Sequence, residues 1–185
     1  MTTKEKYFSF FKIDMEDAKK RVEEKFQNCG VKCDPIYEAV EMVGEEALKR
    51  DNIFDMFFPK NIGHKKETDF RLQKKGIDFT VWDENNKPIF IDLKVCIGPD
   101  YSTIPIETVQ YGKATKVRAT DFFLYLTFDE TKARAILVPT ETYEKFLETA
   151  PGKLDLQVSK NGTGKFFKMD YEKCKTVTWR ELGKA

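Results

Sequence analysis

The sequence is short of net charge and of histidine. Its 32 lysines and arginines nearly balance its 31 aspartates and glutamates, which leaves a formal charge of +1, and its 185 residues include 1 histidine. A nucleic-acid partner therefore cannot be inferred from overall charge and requires a local basic patch. Cys29 and Cys33 lie close together in the chain. No C-x2-C pair or histidine cluster accompanies them, so the usual motifs of zinc and iron–sulfur sites are missing.

Long hydrophobic runs are also missing. No apolar segment approaches the roughly 20 residues that a membrane span needs, and the first residues, Met-Thr-Thr-Lys-Glu-Lys, lack a signal-peptide core. We therefore expect no membrane partner and a cytoplasmic location. What the sequence does contain is 14% aromatic residues, enough for a packed core in what we interpret as a single domain over residues 1–185.

The most informative stretch is a hairpin pattern between residues 76 and 95. Two segments of alternating apolar and polar residues, typical of strands with one buried face, flank the turn Asp-Glu-Asn-Asn-Lys-Pro at 83–88. If the loop has three residues centred on Asn85, Asp78 falls opposite Asp92, because both are equally far from the centre. The sequence therefore predicts two carboxylates side by side on the polar face of the hairpin.

Asp78 and Asp92 in this register form a candidate cation site. Opposed side chains lie roughly 5 Å apart, and two carboxylates that close should not both be ionised unless a cation lies between them. Lys94 points to the same side as Asp92, two residues along the strand. Carboxylate oxygens suit Mg²⁺ or Mn²⁺, and a water on such an ion can attack a phosphodiester while the lysine orients it. The alternative is an ordinary ion pair between Asp78 and Lys94 on a solvated face.

These residues resemble the D…(D/E)XK signature of the PD-(D/E)XK nuclease superfamily. Gly76-Ile77-Asp78 stands where Pro-Asp is usual, and Asp92-Leu93-Lys94 stands for (D/E)XK. The run from Asp69 to Asp78 is similar to a pattern in small, mostly uncharacterised phage-encoded nuclease-like proteins, and the resemblance covers residues 35–147.

The resemblance implies an α/β fold with a restriction-endonuclease-like mixed β-sheet flanked by helices and a catalytic β-hairpin. It also implies a nuclease that needs Mg²⁺ or Mn²⁺ and acts on nucleic acid, with DNA favoured over RNA. Asp78, Asp92 and the backbone carbonyl of Leu93 would bind the metal, and Lys94 would position or activate the attacking water. In nucleases of this kind, a glutamate on the helix before the hairpin often completes the site.

That preceding helix is predicted to open at Asp34 and Pro35, a natural N-cap and a residue suited to the first turn. At about 100° per residue, Glu41 lies beside the apolar stripe, whereas Glu38 and Glu45 point further toward solvent. We select Glu41 for the site and keep Glu45 as the alternative. A solvated acidic face would explain either residue equally well.

Further candidates surround the hairpin. Asp69 and Gln73 look like family positions that orient ligands or water. Glu107 and Gln110 follow the hairpin, where similar proteins carry a polar residue that reaches the metal water or the substrate. The alternative for both is an ordinary position on a helix surface. The candidate contacts to nucleic acid are Lys74, Lys75, Lys113, Lys116 and Arg118. Solubility alone would also explain this group, but basic side chains near the site suit phosphates.

The rest of the chain is predicted to support the core. Residues 1–33 form a packing helix, strands at 121–128 and 134–138 precede a helix at 141–149, and residues 151–185 form a peripheral hairpin. This order is expected for a mixed sheet flanked by helices. Because fold does not fix function, a non-catalytic phage accessory protein that binds nucleic acid or a host factor is the alternative. A hydrolase of small phosphoesters is a third reading, and the oligomeric state, including a homodimer, stays open.

Overall fold

The computed structural model describes residues 1–27, 33–73, 75–110, 113–114, 119–149, 157–158 and 164–183. The helices are α1 (Thr3–Phe10), α2 (Met15–Phe26), α3 (Pro35–Arg50), α4 (Ile53–Phe57), α5 (Phe70–Gln73) and α6 (Thr140–Thr149), with a 3₁₀ turn at Tyr171–Lys173. The strands are β1 (Gly63–Lys66), β2 (Phe79–Trp82), β3 (Pro88–Ile97), β4 (Ile104–Gln110), β5 (Lys113–Ala114), β6 (Phe122–Phe128), β7 (Ala133–Pro139), β8 (Gln157–Val158), β9 (Gly164–Met169) and β10 (Thr178–Leu182).

The described strands form two sheets in a mixed α/β fold. The main sheet has six strands in the order β1-β2-β3-β6-β7-β10, and the second has four in the order β5-β4-β9-β8. In the main sheet β3 and β6 run parallel, and the other neighbours are antiparallel. Within the described ranges, every helix is too short or too polar for a membrane span.

The hairpin of β2 and β3 has the predicted register. Phe79 pairs with Ile91 and Trp82 with Pro88, so the pairing is centred on Asn85. The Asp83 N–H donates to the Lys87 carbonyl at 3.0 Å, which closes a loop of residues 84–86. The Asp83 carboxylate accepts from the N–H groups of Asn85 and Lys87 at 2.9 and 2.8 Å, and this turn chemistry holds the register.

One face of the hairpin packs against α3. The apolar residues Phe79, Val81 and Ile91 are buried there in one cluster with helix residues such as Val43 and Ala47. At the tightest point, a Cβ on Gly44 would come within 2.4 Å of Val95 Cγ2. The helix therefore approaches the sheet closely because residue 44 has no side chain. As predicted, α3 begins at Pro35 after an Asp34 cap, whose carboxylate accepts from the Ile36 N–H at 3.0 Å.

The opposite face of the main sheet is covered by α6, the second sheet and the 3₁₀ turn. Phe123 and Tyr125 of β6 are buried there with Ile106 of β4 and Tyr143 of α6. The Tyr125 O–H donates to the Pro105 carbonyl at 2.9 Å, and the Tyr143 O–H donates to the Glu107 carbonyl at 2.7 Å. These two hydrogen bonds fix β4 to β6 and α6, on the side of the sheet that Phe123 and Tyr125 share with their β3 partners Asp92 and Lys94.

Three parts of the chain differ from the sequence-based expectation. The packing helix expected within residues 1–33 is two helices, α1 and α2. The segment with Glu107 and Gln110 lies in strand β4, so the helix-surface reading was wrong; its β-branched residues Ile104, Ile106 and Val109 fit a strand. The chain after residue 150 also does more than form a hairpin, since β10 pairs with β7 at the edge of the main sheet.

Arg134 anchors this C-terminal strand. Its guanidinium stacks over the Trp179 ring at 4.3 Å from the centroid and donates to the Tyr171 hydroxyl at 2.5 Å.

Candidate metal centre

The two aspartates of the hairpin lie side by side on its polar face. Asp78 directly precedes the Phe79–Ile91 pair and Asp92 directly follows it, and directly paired residues of an antiparallel ladder share a face. Asp92 is buried, with 2% of its surface exposed. The alternation that sends Ile91 toward α3 therefore sends both carboxylates to the side covered by β4.

Asp78 accepts a hydrogen bond from Leu93 of β3, and its ionised form is disfavoured where it lies. Its Oδ2 accepts the Leu93 N–H at 2.8 Å. Burial and the adjacent charge of Asp92 raise its pKa from 3.8 to about 6, although Lys94 and the Leu93 N–H act in the opposite direction. A buried carboxylate beside another one lacks sufficient positive charge around it, which is the condition that a bound cation relieves.

Lys94 supplies part of that positive charge. Its Nζ lies 3.0 Å from Asp92 Oδ1, and its side chain is 20% exposed. One ammonium beside two carboxylates leaves a negative charge when both acids are ionised. The Lys94 side chain is also more exposed than that of Asp92, which is 3% exposed, so Lys94 can contact an incoming anion or water.

The donor set fits a hard divalent cation. Among the residues that the structure describes, no group of three or more His, Cys, Asp and Glu side chains is arranged to hold a metal ion. Mg²⁺, however, keeps several waters and commonly binds proteins through one or two carboxylates. Asp78 and Asp92 provide that number of hard oxygen donors, whereas the thiolate and imidazole ligands that zinc prefers are not gathered there.

The glutamates of α3 lie differently from the prediction. Glu38 is 4% exposed and accepts from Lys25 Nζ at 2.6 Å, and Glu45 is mostly buried between Arg21 and Lys66. The expectation that these two point toward solvent was wrong, because basic residues of α2 and β1 cover that face of the helix. Glu41 is the exposed member, and it accepts from Lys25 at 3.1 Å.

Glu41 acts electrostatically on Asp78, whereas Glu45 is engaged by basic residues. The charge of Glu41 contributes to the raised pKa of Asp78, after burial and Asp92, which places Glu41 within electrostatic reach of the hairpin acids. Burial by itself would raise the pKa of Glu45, but its ion pairs with Lys66 and Arg21 outweigh burial and lower it. Glu45 is therefore committed to those two partners.

Asp69 and Gln73 shape the segment before β2. The Asp69 carboxylate accepts the Arg71 N–H at 2.8 Å and pairs with the Arg71 guanidinium. Gln73 Nε2 donates to the Glu67 carbonyl at 3.0 Å. Both contacts stay within the segment that leads into Asp78. These residues therefore hold the backbone of that segment in place.

The charge of Glu107 acts on the polar face of β3. Burial raises the pKa of Cys96 to about 12, and the charge of Glu107 adds to that rise. Cys96 follows Lys94 by two residues on the same side of β3, so this effect of Glu107 falls beyond Lys94 along the strand. The side chains of Gln110, Lys74, Lys113, Lys116 and Arg118 lie outside the described residues.

The loop that carries Lys75 is joined to residues 119–120. Lys75 is exposed, and its carbonyl accepts the Ala119 N–H at 3.2 Å. The Thr120 hydroxyl also donates to the Gly76 carbonyl at 2.6 Å. The segment that directly follows Arg118 is thereby fastened to the loop that leads into Asp78.

The sequence analysis missed a third carboxylate, Glu67. Its N–H donates to the Asp78 carbonyl at 2.8 Å, one step beyond the Lys66–Phe79 pair, so Glu67, Asp78 and Asp92 occupy one row across three strands. Glu67 is 7% exposed and accepts from the Thr80 hydroxyl at 2.7 Å. Its strand has no alternation of apolar residues, so no pattern in the sequence indicated this placement.

Compared with protein-family models, with curated proteins and with solved structures, the chain gives no match.

Proposed function

We propose that this protein is a Mg²⁺- or Mn²⁺-dependent nuclease of the PD-(D/E)XK type with a restriction-endonuclease-like fold. The observation that carries the proposal is the placement of Asp78 beside Asp92 on a buried polar face, with Lys94 Nζ 3.0 Å from Asp92. Burying two acids is costly unless charge compensates them. A buried pair of acids with a lysine beside it is therefore better explained by a catalytic role than by a contribution to the stability of the fold.

In this proposal each residue has a defined task. Asp78 and Asp92 would hold the ion, joined by the Leu93 carbonyl, while the Leu93 N–H fixes the orientation of Asp78. When bound, a divalent ion supplies Lewis-acid activation of the attacking water and the phosphate. Lys94 orients that water or stabilises the charge that develops on the phosphate. Glu41, on the neighbouring helix, is the candidate to support the ion.

Nucleic acid, with DNA favoured, is the proposed substrate. Lys75 and the segment directly after Arg118 meet beside the loop that leads into Asp78. A basic side chain at such a point, as that of Lys75, would suit a sugar-phosphate backbone, and a nearly neutral chain requires a local basic patch of this kind.

A non-catalytic binding protein on the same fold is the second candidate. It is favoured because, among the residues that the structure describes, no three His, Cys, Asp or Glu side chains are arranged to hold a metal ion, even with Glu67 in the row of acids. A binding protein would retain the basic residues and would not require a cation.

The deciding experiment is cleavage of single-stranded, duplex and branched DNA and of structured RNA with Mg²⁺ or Mn²⁺. The variants are Asp92→Ala and Lys94→Ala, and the matched control is Lys87→Ala, which removes an exposed lysine from the turn of the same hairpin. We expect metal-dependent cleavage that is lost in the two site variants and kept in the control. If the folded wild type cleaves nothing and Mn²⁺ does not raise its melting temperature, the nuclease proposal fails and the binding protein is favoured.

A further inference from the structure

The edge strand β1 sends its two consecutive lysines to opposite faces of the main sheet. Lys66 lies on the α3 face, because its ammonium contacts the Glu45 carboxylate of that helix. Lys65 is the adjacent residue of the strand, so it points to the other face. Glu67, two residues later, supports this placement, since its carboxylate accepts at 2.7 Å from the hydroxyl of Thr80, which points away from α3 in the alternation of β2. Lys65 therefore lies on the polar face, with the hairpin acids.

Lys65 is a diagonal neighbour of Asp78 on that face. The register pairs Lys65 with Thr80, two residues after Asp78 and nearer to the hairpin turn. Diagonal neighbours on adjacent antiparallel strands lie about 7–8 Å apart, within the reach of long side chains. Lys94 follows Asp92 by two residues on β3, away from the turn. The acids therefore have one lysine on the side of the turn and another on the opposite side.

The Lys65 ammonium is placed to take an anionic ligand. Its side chain is 64% exposed, and its Nζ lies 3.5 Å from Oε2 of the buried Glu67. An ammonium has three donors, so Lys65 can contact a phosphate while it keeps Glu67. An ion pair with so exposed a lysine contributes little to stability. Lys66, by contrast, is committed to Glu45.

We propose that Lys65 is a substrate-binding residue that contacts a backbone phosphate of the nucleic acid, beside the phosphate that is bound at Asp78 and Asp92. The inference rests on the nuclease activity proposed above and adds the path of its substrate. The bound strand crosses the polar face diagonally, from Lys94 over the acids to the edge of β1. Each strand of a duplex presents a phosphate about every 3.4 Å of helix axis, so a backbone over the acids also brings phosphates to Lys65.

The first test measures how salt affects binding without cleavage. Labelled duplex and single-stranded DNA are bound in EDTA at several salt concentrations, and fluorescence anisotropy gives the affinity. Lys65→Gln should lower the slope of log affinity against log salt by about 0.9 for the duplex and about 0.7 for the single strand. Because phosphates carry no sequence information, the loss should be equal on unrelated sequences.

Two variants control this measurement. Lys66→Gln makes the same change of charge at the adjacent residue on the other face, and it should keep the wild-type slope. Lys65→Arg retains the charge and should also keep that slope. Equal losses in Lys65→Gln and Lys66→Gln would show an effect of net charge and would overturn the proposal. A lysine that only protects the sheet edge from pairing with other chains predicts no change of slope in Lys65→Gln, which would overturn it as well.

The second test is steady-state cleavage in Mg²⁺, which relates the contact to the acids. A contact made equally in the ground state and the transition state affects KM and leaves kcat unchanged. Lys65→Gln should therefore raise KM several-fold, whereas Lys94→Ala should lower kcat. Weaker binding in EDTA with an unchanged KM would place Lys65 away from the path of the substrate and would contradict the proposal.

The two proposals can fail separately. If the wild type cleaves DNA in Mg²⁺ but Lys65→Gln keeps both the slope and the KM, the inference about Lys65 is wrong and the nuclease stands. If the wild type cleaves nothing but the slope falls in Lys65→Gln alone, the nuclease is rejected and the phosphate contact stands. If the folded wild type binds no nucleic acid, with or without Mg²⁺, both are rejected.

Discussion

The two faces of the β2–β3 hairpin are made by alternate residues of the same strands, yet one face is apolar and the other carries two acids. Toward α3, the residues Phe79, Val81 and Ile91 pack in a buried apolar cluster. Toward β4, Asp78 and Asp92 are placed together, and the pKa of Asp78 is raised to about 6 by burial and by Asp92. Burial of the first face stabilises the folded protein, whereas burial of the second face destabilises it. The comparison teaches that substitutions on the two faces should have opposite effects on stability.

Truncation of a side chain on the apolar face is expected to have the largest effect on the free energy of unfolding. Ile91→Ala removes a side chain with 0% exposure and should lower the free energy of unfolding by roughly 2–5 kcal/mol. The measurement is urea denaturation followed by circular dichroism. A loss below about 1 kcal/mol would show that this face is loosely packed, and the contrast between the faces would disappear.

Neutralisation on the polar face should have the opposite sign. Asp78→Asn retains an acceptor for the Leu93 N–H but removes the charge. A folded-state pKa raised from 3.8 to about 6 corresponds to about 3 kcal/mol of lost stability when the carboxylate is ionised. We therefore expect the variant to be more stable than the wild type near neutral pH, by up to that amount.

The pH dependence gives the control for this prediction. Because the pKa of Asp78 is raised to about 6 in the folded state, its protonated form is favoured by folding, and the wild type loses stability as the pH rises from about 4 through 6. The advantage of Asp78→Asn should shrink to nothing below about pH 4. Melting temperatures across this range test it, and an advantage that does not vary with pH would contradict the assigned cause.

Close packing of α3 on the apolar face predicts a moderate effect. A methyl group at position 44 would meet Val95 Cγ2 at 2.4 Å, so Gly44→Ala should destabilise the protein by about 1–3 kcal/mol through overpacking. Val95→Ala in the same background should restore part of the loss, because it removes the clashing methyl group. A double-mutant cycle measures the coupling, and additive effects would exclude this contact as the cause.

The turn of the hairpin belongs to neither face, and substitutions there should have the smallest effect on the free energy of unfolding. Asn86 has φ of 60°, a left-handed conformation that asparagine tolerates better than alanine. We expect Asn86→Ala to destabilise by about 1 kcal/mol, while Asn86→Gly is neutral within a few tenths. Chemical denaturation of both variants checks this, and equal losses for alanine and glycine would point to the side chain instead of the backbone.

Features set by local chemistry could be predicted from the sequence. The turn around Asn85 and the alternation on either side give the register that joins Asp78 to Asp92. The start of α3 follows from Asp34 and Pro35. In each case the information lies within a few residues of the feature, as turn and cap preferences do.

Features that depend on distant partners could not be predicted in this way. Glu38 appears solvated from helical periodicity, but it is buried because Lys25 and Arg21 arrive from another helix. Glu67 joins the row of acids only through pairing between β1 and β2. The placement of β10 depends on β7, which lies far away in the sequence, and a short polar strand carries little signal of its own.

The parallel pairing of β3 with β6 has a consequence for how such a site could change. After Ile97 the chain must return to the other end of the sheet before it enters β6 at Phe122, and β4 lies on this return path. The hairpin that carries the acids and the strand that covers them are thus separate pieces of chain. If the proposed nuclease activity is correct, insertions or deletions in the return path would reshape the entrance to the site while the acids keep their register, so the choice of substrate would change without a change in the chemistry.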